Sequence, residues 1–387
     1  MIHTSSSPDA RAIDAGPPPR RVLVPAHLDE RALTPLQGGR VAVFGGLTMG
    51  TSWSVRCVVP VDTTTEVAAD PVDDAVQQRD ASLDTTLDTA IRAVLDDVVA
   101  QMSNWRDDSD VSRFNQAAAG SWVSVPPACF EVVEAALAVA CESGGAYDPS
   151  AGPLVDLWGF GPVPRGTGSP SLEMIDATRA RCGWRRVATE RTHTRLYQPG
   201  AISLDLCAIA KGYAVDAVRD ALVAQGVTHL LVEIGGELRG EGVKSDGLPW
   251  WVELETPPLD DGNATSSAAS IASHASTASP TVDLIALHGL AIATSGDYRR
   301  FYFDAGVRRA HTLDPRTGHP ANHALASVTV LHASCMLADA WSTALTVLGP
   351  EAGMALAQRK GLAARFIVRT SMGFRELASP AYRAMLA

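Results

Sequence analysis

Apolar residues recur with helical period in several stretches of the chain. Leu83, Leu87, Ile91, Val94, Leu95, Val98 and Met102 follow i, i+4, i+7 spacing and predict a long amphipathic helix. A second helix is expected from about Phe130 to Glu142, ending at Gly144-Gly145. In SLDLCAIAKGYAVDAVRDALVAQG a strand should end near Leu206, and a helix should run from about Ala210 until Gly226 stops it. In ADAWSTALTVLGP and the residues before it, Leu337, Trp341, Leu345 and Leu348 make an apolar stripe. Met336, Asp339, Thr343 and Thr346 fall on roughly the opposite face, and Gly349-Pro350 is expected to stop the helix. That opposite face carries no Lys, Arg or Glu, which raises the question of what it meets.

Strand-like pieces lie between the helices: RVAVFGG, AISLDL, HLLVEIGG, LAIATSG and ASVTVLHA, several followed by Gly turns. No internal repeat is present. The mixture predicts an α+β fold of mixed sheets with packed helices. Irregular spacing and the lack of GxGxxG after a first strand argue against a doubly wound Rossmann sheet. The stretch GGAYDPSAGPLVDLWGFGP reads as too broken for a helix and too apolar for a surface loop. Residues 1–38, rich in Pro, Arg, Asp and Ser without periodicity, read as a disordered extension to one domain at 39–387. A Ser/Ala/Thr run at about 257–280 reads as a flexible insertion in a hairpin between WWVELE and VDLIAL. It contains the sequon Asn263-Ala264-Thr265, a triplet common by chance.

Composition narrows the class of partner. The 387 residues are 46% apolar and 19% charged, which is globular. A net charge of −11 and a pI near 5.4 give no general attraction for nucleic acid or an anionic membrane, so an anionic ligand must be held locally. Six scattered cysteines without a CxxC pair suggest neither a zinc site nor a disulfide framework. No segment has the length of a signal peptide's apolar core or of a membrane span, so the chain reads as cytoplasmic.

Several residues are candidates for chemistry. Lys211, in a first helical turn, opposes the helix dipole; it either reaches into water or partners an anion seated at the helix start. Tyr147, Asp148, Trp158 and Phe160 could form a structural corner or the wall of a pocket for a flat aromatic ligand. His311 precedes the turn Asp314-Pro315-Arg316-Thr317-Gly318 and is either a structural histidine or a general base, since imidazole titrates near working pH. Gly235-Gly236 marks either a bulge or a close backbone approach to a ligand. Asp339 and Thr343, at i and i+4, either form a plain polar face or offer hard oxygens to Mg²⁺, which binds through one or two carboxylates plus substrate phosphates.

Eight segments in order, MGTSW, NWRDDSDVSRFN, GAYDPSAGPLVDLWGFGP, LDLCAIAKGYAVD, VEIGGELRGEG, IATSGDYRRFY, HTLDPRTGHP and SVTVLHASCMLADAWSTALTVLGPE, resemble the FAD:protein FMN transferases of the ApbE family. The resemblance implies a Mg²⁺-dependent enzyme that cleaves FAD, attaches FMN through its phosphate to a Thr or Ser of an acceptor flavoprotein, and releases AMP. It implies Asp339 and Thr343 as side-chain ligands of Mg²⁺, with the backbone carbonyl of Ala208 as a third. It places FAD against Met49, Trp105, Tyr147, Asp148, Pro149, Asp205, Lys211 and Thr312, and makes His311 the candidate base. This chain differs from the usual pattern at Trp53 and Trp105, where Tyr or Phe is common, at Ser150 for Thr, at Cys207 for Gly or Ser, and in having no leader of the kind many members carry. Two alternatives share the same site: a Mg²⁺-dependent FAD pyrophosphatase giving FMN and AMP, and a carrier that holds FAD without turnover.

Overall fold

The structure, a computed structural model, describes residues 20–25, 28, 30–61, 73–163, 168–257, 282–304, 306–371 and 373–387. At its centre lies an eight-stranded sheet in the order β18 (Gly373–Ala378), β17 (Ala363–Thr370), β16 (Leu325–His332), β11 (Leu290–Gly296), β8 (Glu237–Glu241), β7 (Leu230–Ile234), β3 (Thr51–Pro60) and β2 (Gly39–Thr48). Every neighbouring pair is antiparallel.

Successive residues of a strand point to opposite faces, and in the central strands both sets are apolar. Val55, Cys57, Leu230, Val232, Ala291, Ala293, Val328, Val330 and Phe366 share one core with α1 (Asp73–Met102), α3 (Pro127–Glu142), α6 (Ala210–Ala224) and α7 (Cys335–Lys360). On the other face, Val58, Ile292 and Leu331 pack against a small sheet in the order β1 (Arg20–Leu23), β10 (Val282–Leu287), β9 (Trp250–Glu253), and against Tyr382 of α8 (Pro380–Arg383). Outside these layers lie the sheet β4 (Ser121–Ser124), β6 (Arg195–Gln198), β5 (Ala188–Glu190) and the hairpins β12 (Phe301–Asp304)–β13 (Val307–Ala310) and β14 (Leu313–Asp314)–β15 (His319–Pro320). Three short helices, α2 (Asp110–Gln116), α4 (Gly152–Leu157) and α5 (Leu172–Arg179), complete an α+β fold. No helix among the described residues is long and apolar enough to cross a membrane.

Four expectations change. AISLDL is not a strand: Ile202, Leu204 and Leu206 are buried in alternation, which imitates one, but side chains replace the ladder. Asn115 brackets Leu204, accepting from its N–H at 2.7 Å and donating to its carbonyl at 3.0 Å, while Gln198 donates to the Ile202 carbonyl at 3.0 Å. The stretch judged too broken for a helix contains α4, begun by Gly152-Pro153 with Pro tolerated in a first turn. Gly349-Pro350 interrupts α7 without ending it: Gly349 takes φ 81°, and helix resumes to Lys360.

The fourth change concerns the N-terminus. Arg20–Leu23, inside the expected extension, is a strand parallel to β10, and Leu23 is fully buried. Arg21 grips Asp283 with Nε and Nη2 at 2.6 and 2.8 Å, Tyr382 donates to the same carboxylate at 2.7 Å, and Arg365 stands 3.3 Å away. Most of the 257–280 run, with its sequon, lies outside the described residues.

Burial pushes the Asp283 carboxyl up, but hydrogen bonds from Arg21 and Tyr382 and the charge of Arg365 outweigh it and hold it below the ordinary value. Its contribution to stability is therefore complete above the unfolded pKa and is lost as pH falls through the lower folded one. Asp283→Ala should lower the unfolding free energy by about 1–3 kcal/mol, because the buried Tyr382 hydroxyl loses its acceptor while Arg21 and Arg365 keep Glu376 as a carboxylate partner. The gap between parent and variant, read from denaturant midpoints, should shrink below about pH 4. A chain begun at Gly39 should be destabilised in the same direction; an unchanged midpoint would return β1 to the status of a tail.

Candidate active site

The site is assembled where α6 crosses α7. Gly212, in the first turn of α6, has no side chain, and a Cβ there would stand 2.3 Å from the Cys335 carbonyl oxygen and 2.9 Å from Asp339 Cβ. Only glycine permits this approach. The Gly212 N–H consequently reaches Asp339 and donates to Oδ2 at 3.1 Å. The N-cap of α6 is Ile209, at φ −151°, so Gly212 is the third helical residue and its N–H is a first-turn donor that no helix carbonyl takes; Asp339 caps it. Among the described residues no hydrogen bond reaches the Ala208 carbonyl. A backbone carbonyl without a donor and a carboxylate are thus held together at one helix start.

Lys211 follows from the same crossing. Its Nζ lies 2.7 Å from Glu237 Oε1 and 3.8 Å from Asp339 Oδ2, and both carboxylates are only 3% exposed. Burial pushes both carboxyls upward, and the ammonium opposes it. Burial alone would lower Lys211, but Asp339 and Glu237 more than offset it and keep the ammonium charged. One cation therefore faces two carboxylates, and one oxygen of Glu237, Oε2, is buried without a partner. The Tyr147 hydroxyl is also buried and unpartnered, with burial and then the charges of Asp339, Asp205 and Asp148 pushing its pKa up. Unpaired buried oxygens around an excess negative charge suit a cation or hydrogen-bond donors from a ligand. Among the described residues no group of three or more His, Cys, Asp or Glu forms a metal cage. A site with one carboxylate, one hydroxyl and one carbonyl instead fits Mg²⁺, which takes the rest of its oxygens from water and phosphate.

The remaining candidates surround this point. Cys207 N–H donates to Asp205 Oδ1 at 2.8 Å, and the Cys207 thiol contacts Asn104 Oδ1 at 3.4 Å, next in sequence to Trp105, which is 57% exposed. The Asp148 carboxylate is occupied by Ser150 N–H and Oγ–H at 2.8 and 2.6 Å and by Trp184 N–H at 3.3 Å. The Pro149 carbonyl accepts from Asp205 N–H at 2.7 Å. The side chain of Asp148 thus shapes the corner. Met49 and Gly50 form the two-residue turn of β2–β3 with φ of 48° and 72°. This turn demands positive φ twice, and a methionine accepts it at a cost of about 1–2 kcal/mol. Strain of this kind is held where position matters more than stability. The Gly235-Gly236 turn of β7–β8 lies beside it, with Gly235 N–H donating to the Ser52 carbonyl at 3.0 Å. Arg299 lies against Gly236, where a Cβ would be 2.7 Å from its Nη1.

His311 stands beside Phe160, with Thr312 buried next to it. Its Nδ1 is 3.1 Å from the Arg300 carbonyl oxygen, which can only accept, so Nδ1 carries the proton and Nε2 offers a lone pair. The expected titration near working pH does not hold. Burial first, with the charges of Arg300, Lys211 and Arg299, moves the pKa down to about 4 against the opposing hydrogen bond to Arg300.

Glu237 and Ser295 were missed by sequence reading. A glutamate after a Gly-Gly turn reads as solvated, and only the register pairing Ile234 with Glu237 starts β8 at the point where it reaches Lys211. Ser295, near the end of β11, meets Ser342 and Thr343 of α7 at 2.7 and 3.0 Å.

Residues 49–366 match the sequence model of the ApbE family. This chain belongs to the ApbE family. The FAD:protein FMN transferase of Vibrio cholerae serotype O1 is 37% identical over 343 residues, 89% of this chain and 92% of that one. The FAD:protein FMN transferase of Escherichia coli K12 is 34% identical over 349 residues, 89% of each chain. The flavin transferase ApbE structure from Vibrio cholerae superposes with a TM-score of 0.74 at 36% identity, covering 90% of this chain and all of that one. The apo flavinyl transferase ApbE of Pseudomonas stutzeri gives 0.73 at 38% identity, covering 91% and 98%.

In the unliganded protein, ¹⁵N NMR of the His311 ring should show a neutral, Nδ1-protonated imidazole from pH 8 down to about 5, with protonation centred near 4. A midpoint near the ordinary histidine value would overturn the neutral assignment.

Proposed function

We propose that this ApbE-family chain is a Mg²⁺-dependent FAD:protein FMN transferase that links FMN by a phosphoester to a Thr or Ser of an acceptor flavoprotein and releases AMP. The observation that carries this reading is the Ala208 carbonyl, which has no hydrogen-bond donor among the described residues and lies just ahead of the N-cap of α6, with Asp339 and the charged Lys211 at the same helix start. Asp339, Thr343 and the Ala208 carbonyl would hold Mg²⁺. When bound, the ion supplies positive charge against the pyrophosphate oxygens.

The chain's own residues have separable tasks. Lys211 pairs with phosphate at the start of α6, where the positive end of the helix dipole adds to its attraction. Trp105 and the corner around Tyr147 offer flat apolar surface to the ring systems of FAD. The acceptor hydroxyl oxygen forms a bond to the phosphorus on the FMN side, its proton passes to His311 Nε2, and the bond to the bridging oxygen breaks with its electron pair leaving on AMP. His311 acts in the neutral form, so its contribution is present above its pKa and lost as pH falls through it. Anionic FAD alongside raises that pKa from the unliganded value and makes the imidazole a stronger base.

Asp339→Ala should abolish transfer, measured as an FMN-phosphoester adduct on a co-expressed flavoprotein by mass spectrometry. Near-normal Mg²⁺-dependent transfer by this variant would remove the metal assignment. His311→Asn should keep FAD affinity and slow transfer by roughly 10²–10⁴-fold. Tight FAD binding with an unchanged rate would take His311 out of the mechanism. Rapid FMN release from FAD without any acceptor would favour hydrolysis over transfer.

A further inference from the structure

The hydroxyl groups next to Asp339 form a chain with a fixed direction. Ser342 Oγ is 2.9 Å from the Asp339 carbonyl oxygen, and since a carbonyl only accepts, the single Ser342 hydrogen is committed there. Ser295 Oγ lies 2.7 Å from Ser342 Oγ, so this contact requires Ser295 to donate. Ser295 Oγ also lies 3.0 Å from Thr343 Oγ1, and with its own hydrogen used it can only accept from Thr343. The Thr343 hydrogen is thereby turned toward β11, and both lone pairs of Oγ1 point elsewhere.

A threonine within a helix ordinarily donates to the carbonyl four residues back. Thr346 does so, to the Ser342 carbonyl at 2.8 Å. For Thr343 that carbonyl is Asp339's, and Ser342 already occupies it. We infer that Ser295 is a positioning residue that, with Ser342 behind it, fixes the Thr343 hydroxyl as a pure acceptor aimed at a cation. The inference rests on the reading of Thr343 as a Mg²⁺ ligand. A hydroxyl free to rotate spends part of its time with its hydrogen toward the metal, and removing such an outer partner typically costs about 10–100-fold in metal affinity.

The test is calorimetric titration of Mg²⁺ into the full chain with FAD present and acceptor absent, with thermal midpoints recorded in parallel. Ser295→Ala should weaken Mg²⁺ binding about 10–100-fold, while Ser295→Thr, which keeps a hydroxyl, should stay near the parent. Ser342→Ala should weaken it in the same direction although residue 342 has no hydrogen bond to Thr343, because the Ser295 hydrogen is then free to turn back. In transfer assays the Mg²⁺ concentration for half-maximal rate should rise in step, with kcat at saturating Mg²⁺ close to the parent's. Parent-like Mg²⁺ affinity in a folded Ser295→Ala or Ser342→Ala variant would overturn the relay while leaving the metal site standing. A parent chain that binds no Mg²⁺ would overturn both.

Discussion

The missing side chain at Gly212 is the constraint on which the site depends. It lets the first turn of α6 approach the backbone of α7 more closely than any Cβ would allow, with the Cys335 carbonyl and Asp339 as the limiting atoms. Two consequences follow from that one contact. Asp339 gains a backbone donor and is held at 3% exposure, and the Gly212 N–H, a first-turn donor with no helical acceptor, gains a partner. A buried carboxylate is thus fixed at a helix start by a single backbone hydrogen bond, close to a carbonyl, that of Ala208, with no donor among the described residues.

The charge arrangement around that contact runs against the protein as a whole. The chain carries a net charge of −11, yet Lys211, Arg299 and Arg300 act together on His311, and all three lower its proton affinity. Low dielectric makes each charge count for more than it would at the surface. The same desolvation keeps the unliganded His311 neutral, with the proton on Nδ1 and a lone pair on Nε2.

Pieces from distant parts of the chain reach this point because both hairpin turns, Met49-Gly50 and Gly235-Gly236, lie at one end of the central sheet. The antiparallel order of strands fixes which ends coincide. On the sheet's far face, the ion network of Arg21, Asp283, Arg365 and Tyr382 ties the N-terminal strand and the C-terminal helix to β10 and β17, closing the second core behind the sheet.

Much of this was legible in the residues themselves. Spacing and Gly stops marked α3 and α6, the order of eight motifs pointed to the family, and the uncharged face of α7 left Asp339 and Thr343 as either a plain polar face or hard oxygens for a cation. These are local properties, set by spacing and side-chain type. Other features had no local trace. AISLDL alternates like a strand, and nothing in it says that Asn115 and Gln198 replace the ladder. The titration of His311 depends on three cations and on burial, none of them evident from its neighbours in sequence. Glu237 and Ser295 gain their roles only from strand register and from the seating of α7 on β11. Residue types and their periods were determined by the sequence alone; hydrogen-bond direction, proton affinity and the free Ala208 carbonyl were decided by tertiary contact, because each depends on which groups remain unpaired once the helices and sheet have packed.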